Sequence, residues 1–292
     1  MLNFTKKLNM KVFLILVSFL SFANLSTCNQ NDKLIAKRKI ERIKPKPISY
    51  TLEKTKNWLK ENASNTSKLE IVTAINRTDS KNLSKMDSII IPNNFSGDKV
   101  YFLPFPIEVD YLKDISKIVI FSYPTQSFAA YENGILVYSG PTNMGRKKDQ
   151  TPIGLFFTNW KAEKTTSTFN DEWDLKWNFN IENKLGVGFH EYELPGYPAS
   201  HSCLRLQEKD AKNLYDWADQ WILEDEENVK VKGTPIIVFG NYNFDGPKPW
   251  LQLVKKPNVL NITNDEIKNQ VKPYFNTIMK EQKIREIYLQ SE

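Results

Sequence analysis

The chain has 292 residues, enough for one large or two small domains with real cores. Hydrophobic residues make up 40% and charged residues 25%, the ordinary mix of a folded soluble body. Of the formal charge of +6, Lys6, Lys7 and Lys11 supply three units and residues 1–27 carry no acid; the remaining +3 excludes any charge argument for a nucleic-acid partner.

Residues 1–28 read as a targeting segment. The three lysines precede a short apolar core, Val12 to Phe22, which is too short for a comfortable membrane span and reads as a signal peptide. The segment ends in Leu25-Ser26-Thr27-Cys28, which resembles a bacterial lipobox, where cleavage precedes a Cys that becomes lipidated. That resemblance implies export to the bacterial cell envelope (the periplasm) and a membrane anchor through lipid on Cys28. Each buried methylene of such a lipid contributes about 0.8 kcal/mol. Ordinary secretion with a free Cys28 is the alternative, because Thr27 is a less usual residue before a lipidated Cys. Residues 29–50 are polar and basic, with Lys37-Arg38-Lys39, Pro45 and Pro47, and read as a linker.

Residues 51–100 read as a small helical subdomain. Thr51 to Leu59 has helical spacing, and Leu69 to Ile75 keeps apolar residues on one face. The order Asn76-Arg77, Leu83, Asp87-Ser88-Ile89-Ile90-Ile91-Pro92 is faintly similar to the second half of LysM glycan-binding modules; a packing subdomain is the plainer reading. Tyr101 to Pro106, aromatic and proline-rich, is expected to lie over the surface of the next domain without forming an element.

That next domain is expected over 115–240. Lys117 to Ser122 is a β-branched run, and Ser127 to Tyr131 and Ile135 to Tyr138 flank Asn133-Gly134, a hairpin signal. Gly140 to Gly145 leads into Thr151-Pro152-Ile153-Gly154-Leu155-Phe156. Residues 158–184 form a polar insertion with Trp160, Trp173 and Trp177, expected to overhang the site as a lid or cleft wall, or else to anchor to the core. Glu208 to Trp221 carries Ala211, Leu214, Tyr215, Ala218 and Trp221 on one helical face, and Thr234 to Phe239 is a closing strand. Residues 241–292 read as a C-terminal helical extension that starts at a capping box, Thr263-Asn264-Asp265-Glu266, and is kinked by Pro273.

The chemistry is concentrated in residues 190–205. Both histidines of the protein, His190 and His201, lie there with Cys203. Residue type alone leaves three readings. The Cys and His residues can be framework groups. His190, His201 and Cys203 can bind a metal, although a fourth ligand is lacking and the spacing matches no common zinc pattern. Or the thiol is a nucleophile ionised by an imidazole. With Cys28 lipidated, Cys203 is a single thiol in an oxidising compartment without a disulfide partner, which favours the reactive role.

The run Leu194-Pro-Gly-Tyr-Pro-Ala-Ser200-His201-Ser202-Cys203-Leu204-Arg205-Leu206 resembles the signature of the L,D-transpeptidases, or YkuD-like domains. That signature is a His, a loop, then Ser-His-Gly-Cys, an apolar residue and Arg. It matches at His190, Ser200, His201, Cys203 and Arg205 and departs at Ser202, where the family has Gly. The Thr151-Pro-x-Gly-x-Phe run and the closing Gly233-Thr234-Pro235 are also similar, so the resemblance covers 116–240.

The resemblance implies a mainly β fold: a β-sandwich-like catalytic domain with one or two helices, here joined to the α-rich N-terminal subdomain and the C-terminal helix. It implies a cysteine-dependent transferase that remodels peptidoglycan. Cys203 would be the nucleophile and His190 the general base and acid. Ser200, as a hydrogen-bonding partner in the cleft, His201, Ser202 and Arg205 would bind substrate or support the site. The donor would be a peptidoglycan tetrapeptide stem and the acceptor an amine on a neighbouring stem, giving 3→3 cross-links. Water or a protein as acceptor would make the same chemistry an L,D-carboxypeptidase or a protein-anchoring enzyme. A catalytically impaired peptidoglycan-binding lipoprotein and a cysteine peptidase of ordinary proteins are the other readings. Neither a cofactor nor a metal is implied, and a monomer is expected. A family Gly marks a position of positive φ or close approach, and a serine forced there costs roughly 1–2 kcal/mol.

Overall fold

The computed structural model describes residues 42–166 and 174–291. The targeting segment with Cys28, the linker up to residue 41, and Trp173 lie outside the described residues. The chain from Pro45 onward forms one compact unit.

The N-terminal part is α-rich but framed by strands. It runs β1 (Tyr50–Lys54), α1 (Thr55–Asn62), α2 (Thr66–Asn76), α3 (Ser80–Leu83) and β2 (Ser88–Pro92). The helix expected from Thr51 therefore begins only at Thr55. The buried β-branched run Ile89-Ile90-Ile91 offers residues 50–54 an antiparallel partner, with Tyr50 opposite Pro92, and pairing overrides local helical spacing. Asn65 caps α2 by accepting the Lys68 N–H, and α2 stops at Arg77, which turns left-handed at φ 57°. Tyr101 to Pro106 packs on the following domain, where Phe105 joins Ile118 and Ile120, but its start belongs to an element. Lys99–Phe102 is a 3₁₀ turn, and Phe102, Leu103 and Phe105 are buried, because each aromatic ring stabilises most when its whole area leaves water.

The central domain is one nine-stranded curled sheet. Its strands are β3 (Ile118–Ser122), β4 (Ser127–Glu132), β5 (Ile135–Asn143), β6 (Gly154–Phe157), β7 (Lys161–Thr166), β8 (Asp174–Glu182), β9 (Val187–Glu191), β10 (Leu204–Leu206) and, after α4 (Glu208–Trp217) and a small ribbon of β11 (Ile222–Leu223) and β12 (Val229–Val231), β13 (Pro235–Phe239). The spatial order is β6-β13-β3-β4-β5-β10-β9-β8-β7, parallel only at β13/β3 and β10/β9. Its halves face each other. Val119, Phe121, Ile236 and Val238 from one half pack with Phe179, Phe189, Leu204 and Leu206 from the other, and Ala211 and Leu214 of α4 close the layer. The mainly β expectation holds, with the sandwich-like core enclosed by a single sheet. Asn133 and Gly134 turn the β4–β5 hairpin at φ 46° and 76°, the two positive values that an Asn-Gly turn supplies.

Two expectations differ in detail. Residues 158–184 are not a plain loop: β7 and β8 pair and extend the sheet beyond β9, and the tip that would overhang the site lies outside the described residues. Trp177 sits at a register shift with φ 53° and meets Tyr215 of α4 edge-on at 5.6 Å, so it anchors the hairpin to the core. The helix from Glu208 ends at Trp217, since Ala218 is extended.

Thr263 and Glu266 form the reciprocal capping box of α5 (Asn264–Val271). Pro273 lies in a 3₁₀ turn, Lys272–Tyr274, before α6 (Phe275–Ser291). Ile267, Val271 and Ile278 pack with Ile118, Ile120 and Ile237, so the extension covers the second face of the sheet.

Candidate active site

Parallel pairing of β9 with β10 brings the histidine and cysteine blocks side by side. The register sets Phe189 beside Leu204 and His190 beside Arg205. Phe189, Leu204 and Leu206 enter the core, so His190 and Arg205 stand on the opposite face. Tyr192, two residues beyond His190, continues that face: the Arg205 guanidinium lies 4.4 Å from its ring centroid, and the His190 ring meets it edge-on at 6.0 Å. Cys203, two residues before Arg205, borders the same face. Gly188 comes one step before the Phe189–Leu204 pair. A Cβ there would stand 2.7 Å from the Phe179 carbonyl oxygen, so only glycine lets β8 and β9 approach at this level.

The resting protonation states follow from burial. The Cys203 thiol donates to the Gly186 carbonyl at 3.6 Å, and burial pushes its pKa up, opposed by the Gly188 N–H and the Arg205 charge. His190 is only 4% exposed, and its Nδ1 lies 2.9 Å from the Glu191 carbonyl oxygen. A carbonyl only accepts, so Nδ1 carries the hydrogen and Nε2 keeps the lone pair that a base needs. Burial lowers the imidazole to about 4; the Glu191 carbonyl opposes this and Arg205 adds to it. The pair rests as neutral thiol and neutral imidazole at pH 7.

Cys203 follows a braced turn. Ser202 has φ 86°, in the left-handed region, so the segment before Cys203 bends instead of running extended. Thr151 Oγ1 donates to the Ser202 carbonyl at 2.8 Å and accepts the Gly145 N–H at 2.9 Å. Ser200 donates its hydroxyl to the Cys203 carbonyl at 2.5 Å, while its backbone joins Met144 and Arg146. Asn143, beside Arg205 on β5, accepts the Ala199 N–H and donates to the Tyr197 carbonyl. His201 is half-buried near the Arg146–Asp149 ion pair, and burial, then Arg146, lower its pKa.

Comparison with known families decides what this arrangement resembles. Residues 116–238 match the L,D-transpeptidase catalytic domain, the YkuD family. Among solved structures, an L,D-transpeptidase (Yku) from Stackebrandtia nassauensis is 23% identical, with 44% of this chain and 58% of that one covered and a TM-score of 0.37. An L,D-transpeptidase from Mycobacterium smegmatis is 20% identical over 43% of this chain and 59% of its own, at a TM-score of 0.34. One from Mycobacterium tuberculosis H37Rv is 18% identical over 43% and 58%, also at 0.34. The chain thus spans less than two thirds of these solved relatives, and the assignment rests on the family match. No curated protein matches the chain significantly.

Within the matched segment, β9 and β10 set His190 beside Arg205, and Cys203 lies within electrostatic reach of Arg205. Ser200 is buried and donates its hydroxyl to the Cys203 carbonyl, which braces that turn. His190, His201 and Cys203 do not converge as a ligand set, since among the described residues no group of three His, Cys, Asp or Glu side chains could hold a metal ion. Tyr192 and Asn143 are neighbours of the candidate site that sequence reasoning missed. Tyr192 had a usable signal, because a residue two beyond a strand histidine shares its face. Asn143, far along the chain, had none.

Proposed function

We propose that the protein is a cysteine-dependent L,D-transpeptidase acting on peptidoglycan stem peptides. The observation that carries the reading is the pairing of His190 with Arg205 across β9 and β10, beside Cys203, within the segment that matches the catalytic domain. Substrate entry breaks the thiol's bond to the Gly186 carbonyl. The Cys203 proton passes to Nε2 of His190 as sulfur bonds to the carbonyl carbon of the tetrapeptide stem. The backbone N–H groups of Ser202 and Cys203 receive the developing oxyanion. The imidazolium returns its proton to the leaving amine, which departs as the terminal D-residue and leaves a thioester on Cys203. An acceptor amine then attacks the thioester, His190 takes its proton, and the thiol is regenerated. Arg205 meets a substrate carboxylate and opposes the burial of the developing thiolate. Cys28 carries the lipid that anchors the protein at the envelope, in the periplasm, in this reading.

The raised thiol and the strained Ser202 favour one second reading, a peptidoglycan-binding lipoprotein with impaired catalysis. The two separate on incubating wild-type and Cys203→Ala protein with purified tetrapeptide muropeptides and recording products and intact mass. Cross-linked dimers or an acyl adduct in wild type alone support the transpeptidase. Shortened stems without dimers mean a carboxypeptidase. Retention on sacculi with neither product nor adduct refutes the enzyme reading.

A further inference from the structure

The loop between base and nucleophile is gripped from outside the YkuD domain. Asp79, the cap of α3, accepts the Leu194 N–H at Oδ2 (2.6 Å) and donates its own N–H to the Leu194 carbonyl (3.2 Å). Thr78 Oγ1 donates to the same carbonyl at 2.8 Å, and the Thr78 backbone bridges Pro195. Gln207, just past β10, donates to the Thr78 carbonyl at 2.9 Å. Behind them Arg77, 1% exposed, donates to the Thr125 carbonyl in the β3–β4 turn at 2.5 Å. Both backbone groups of Leu194 are therefore held by the N-terminal part, and its side chain is fully buried.

Leu194 stands two residues beyond Tyr192, the ring that carries the Arg205 guanidinium and meets His190. The Tyr192 N–H bonds the Leu206 carbonyl at 3.1 Å, so the β9–β10 ladder runs on to the point where the Asp79 grip begins. We infer that Asp79 is a positioning residue of the active site: by fixing Leu194 it fixes Tyr192, and through Tyr192 it holds Arg205 beside Cys203. Asp79 touches no reacting atom. A carboxylate suits the task, since one group accepts Leu194 N–H while its other oxygen accepts the Asn82 N–H at 2.7 Å, and charged acceptors make the stronger bonds. The inference rests on Cys203 as nucleophile and not on the identity of the substrate.

A cap can also matter only for stability, and the test separates the two roles. Asp79→Ala is compared with Asn65→Ala, which removes the cap of α2, a bond to Lys68 N–H at 3.0 Å remote from the loop. Thr78→Val serves as a milder second variant. The readouts are the melting temperature, the pH profile of Cys203 alkylation by iodoacetamide, and kcat and KM for muropeptide transfer. In Asp79→Ala the alkylation midpoint moves to higher pH and kcat falls about tenfold with KM little changed, as expected for a misplaced group. Thr78→Val moves both the same way by less, and Asn65→Ala lowers only the melting temperature. Asp79→Ala with the alkylation profile of Asn65→Ala or of wild type overturns the inference; should Asp79→Ala fail to fold, a wild-type profile in Thr78→Val does so. An alkylation shift without transfer even in wild type supports Asp79 as a positioning residue while refuting the transpeptidase reading.

Discussion

Ser202→Gly tests the backbone of the turn before Cys203 directly. Ser202 has φ 86°, a conformation that costs a non-glycine residue roughly 1–2 kcal/mol. Glycine removes that strain but loses about 0.5–1 kcal/mol more chain entropy on folding. The Thr151 bond to the Ser202 carbonyl survives, because it uses the backbone. The net expectation is a gain of about 0.5–1 kcal/mol, or a melting temperature higher by about 1–4 °C for a body of this size. Ser202→Ala keeps the Cβ and hence the strain, so it melts with wild type. Differential scanning calorimetry on the three proteins decides the matter: a Gly variant that melts no higher than the Ala variant refutes the strain. If the proposed muropeptide transfer holds, Ser202→Gly also turns over faster, since it relieves the strained backbone next to Cys203.

Two further predictions concern burial. His190 holds its proton only below about 4 in the folded protein, against about 6.5 when unfolded, so the unfolded chain binds the proton first as pH falls. Stability is therefore full above about pH 6.5 and declines toward pH 4 by at most about 3 kcal/mol from this residue. Urea midpoints at the two ends of that window fall further apart in wild type than in His190→Gln; equal spans refute the assignment. Arg77→Met strips the donors from the Thr125, Ala74 and Ile75 carbonyls at a fully buried position. It lowers stability by about 3 kcal/mol, read as a melting temperature lower by roughly 6–12 °C.

Local signals carried well into the structure. Asn133-Gly134 specified its hairpin, and Thr263 with Glu266 its helix start, because each acts within four residues. The family glycine at Ser202 foretold a positive φ for the same reason: it encodes backbone shape. What depends on remote partners was not legible. Residues 50–54 show a helical period yet become a strand once Ile89–Ile91 is available to pair. Residues 158–184 look like a polar loop because the edge strand β7 buries none of its side chains fully and β8 buries Asn178 and Asn180 among its apolar residues. Within the site, the residue types Cys203, His190 and Arg205 were visible, but not that Ser200 braces the Cys203 carbonyl or that Tyr192 carries Arg205. Those contacts depend on side-chain direction across paired strands, which a one-dimensional pattern does not record.

The C-terminal helices set a boundary on where this protein can be cut. The family match ends at residue 238, yet Ile267, Val271 and Ile278 cover Ile118, Ile120 and Ile237 beyond that point, and Arg285 donates to the Gln220 and Lys232 carbonyls. At the other end Arg77 and Asp79 reach into the same body. Excising the segment that matches the family would bare an apolar sheet face on one side and release the Leu194 loop on the other. The stretch that is shared with relatives and the stretch that folds are different lengths of chain, so a variant outside the shared part can still reach the site.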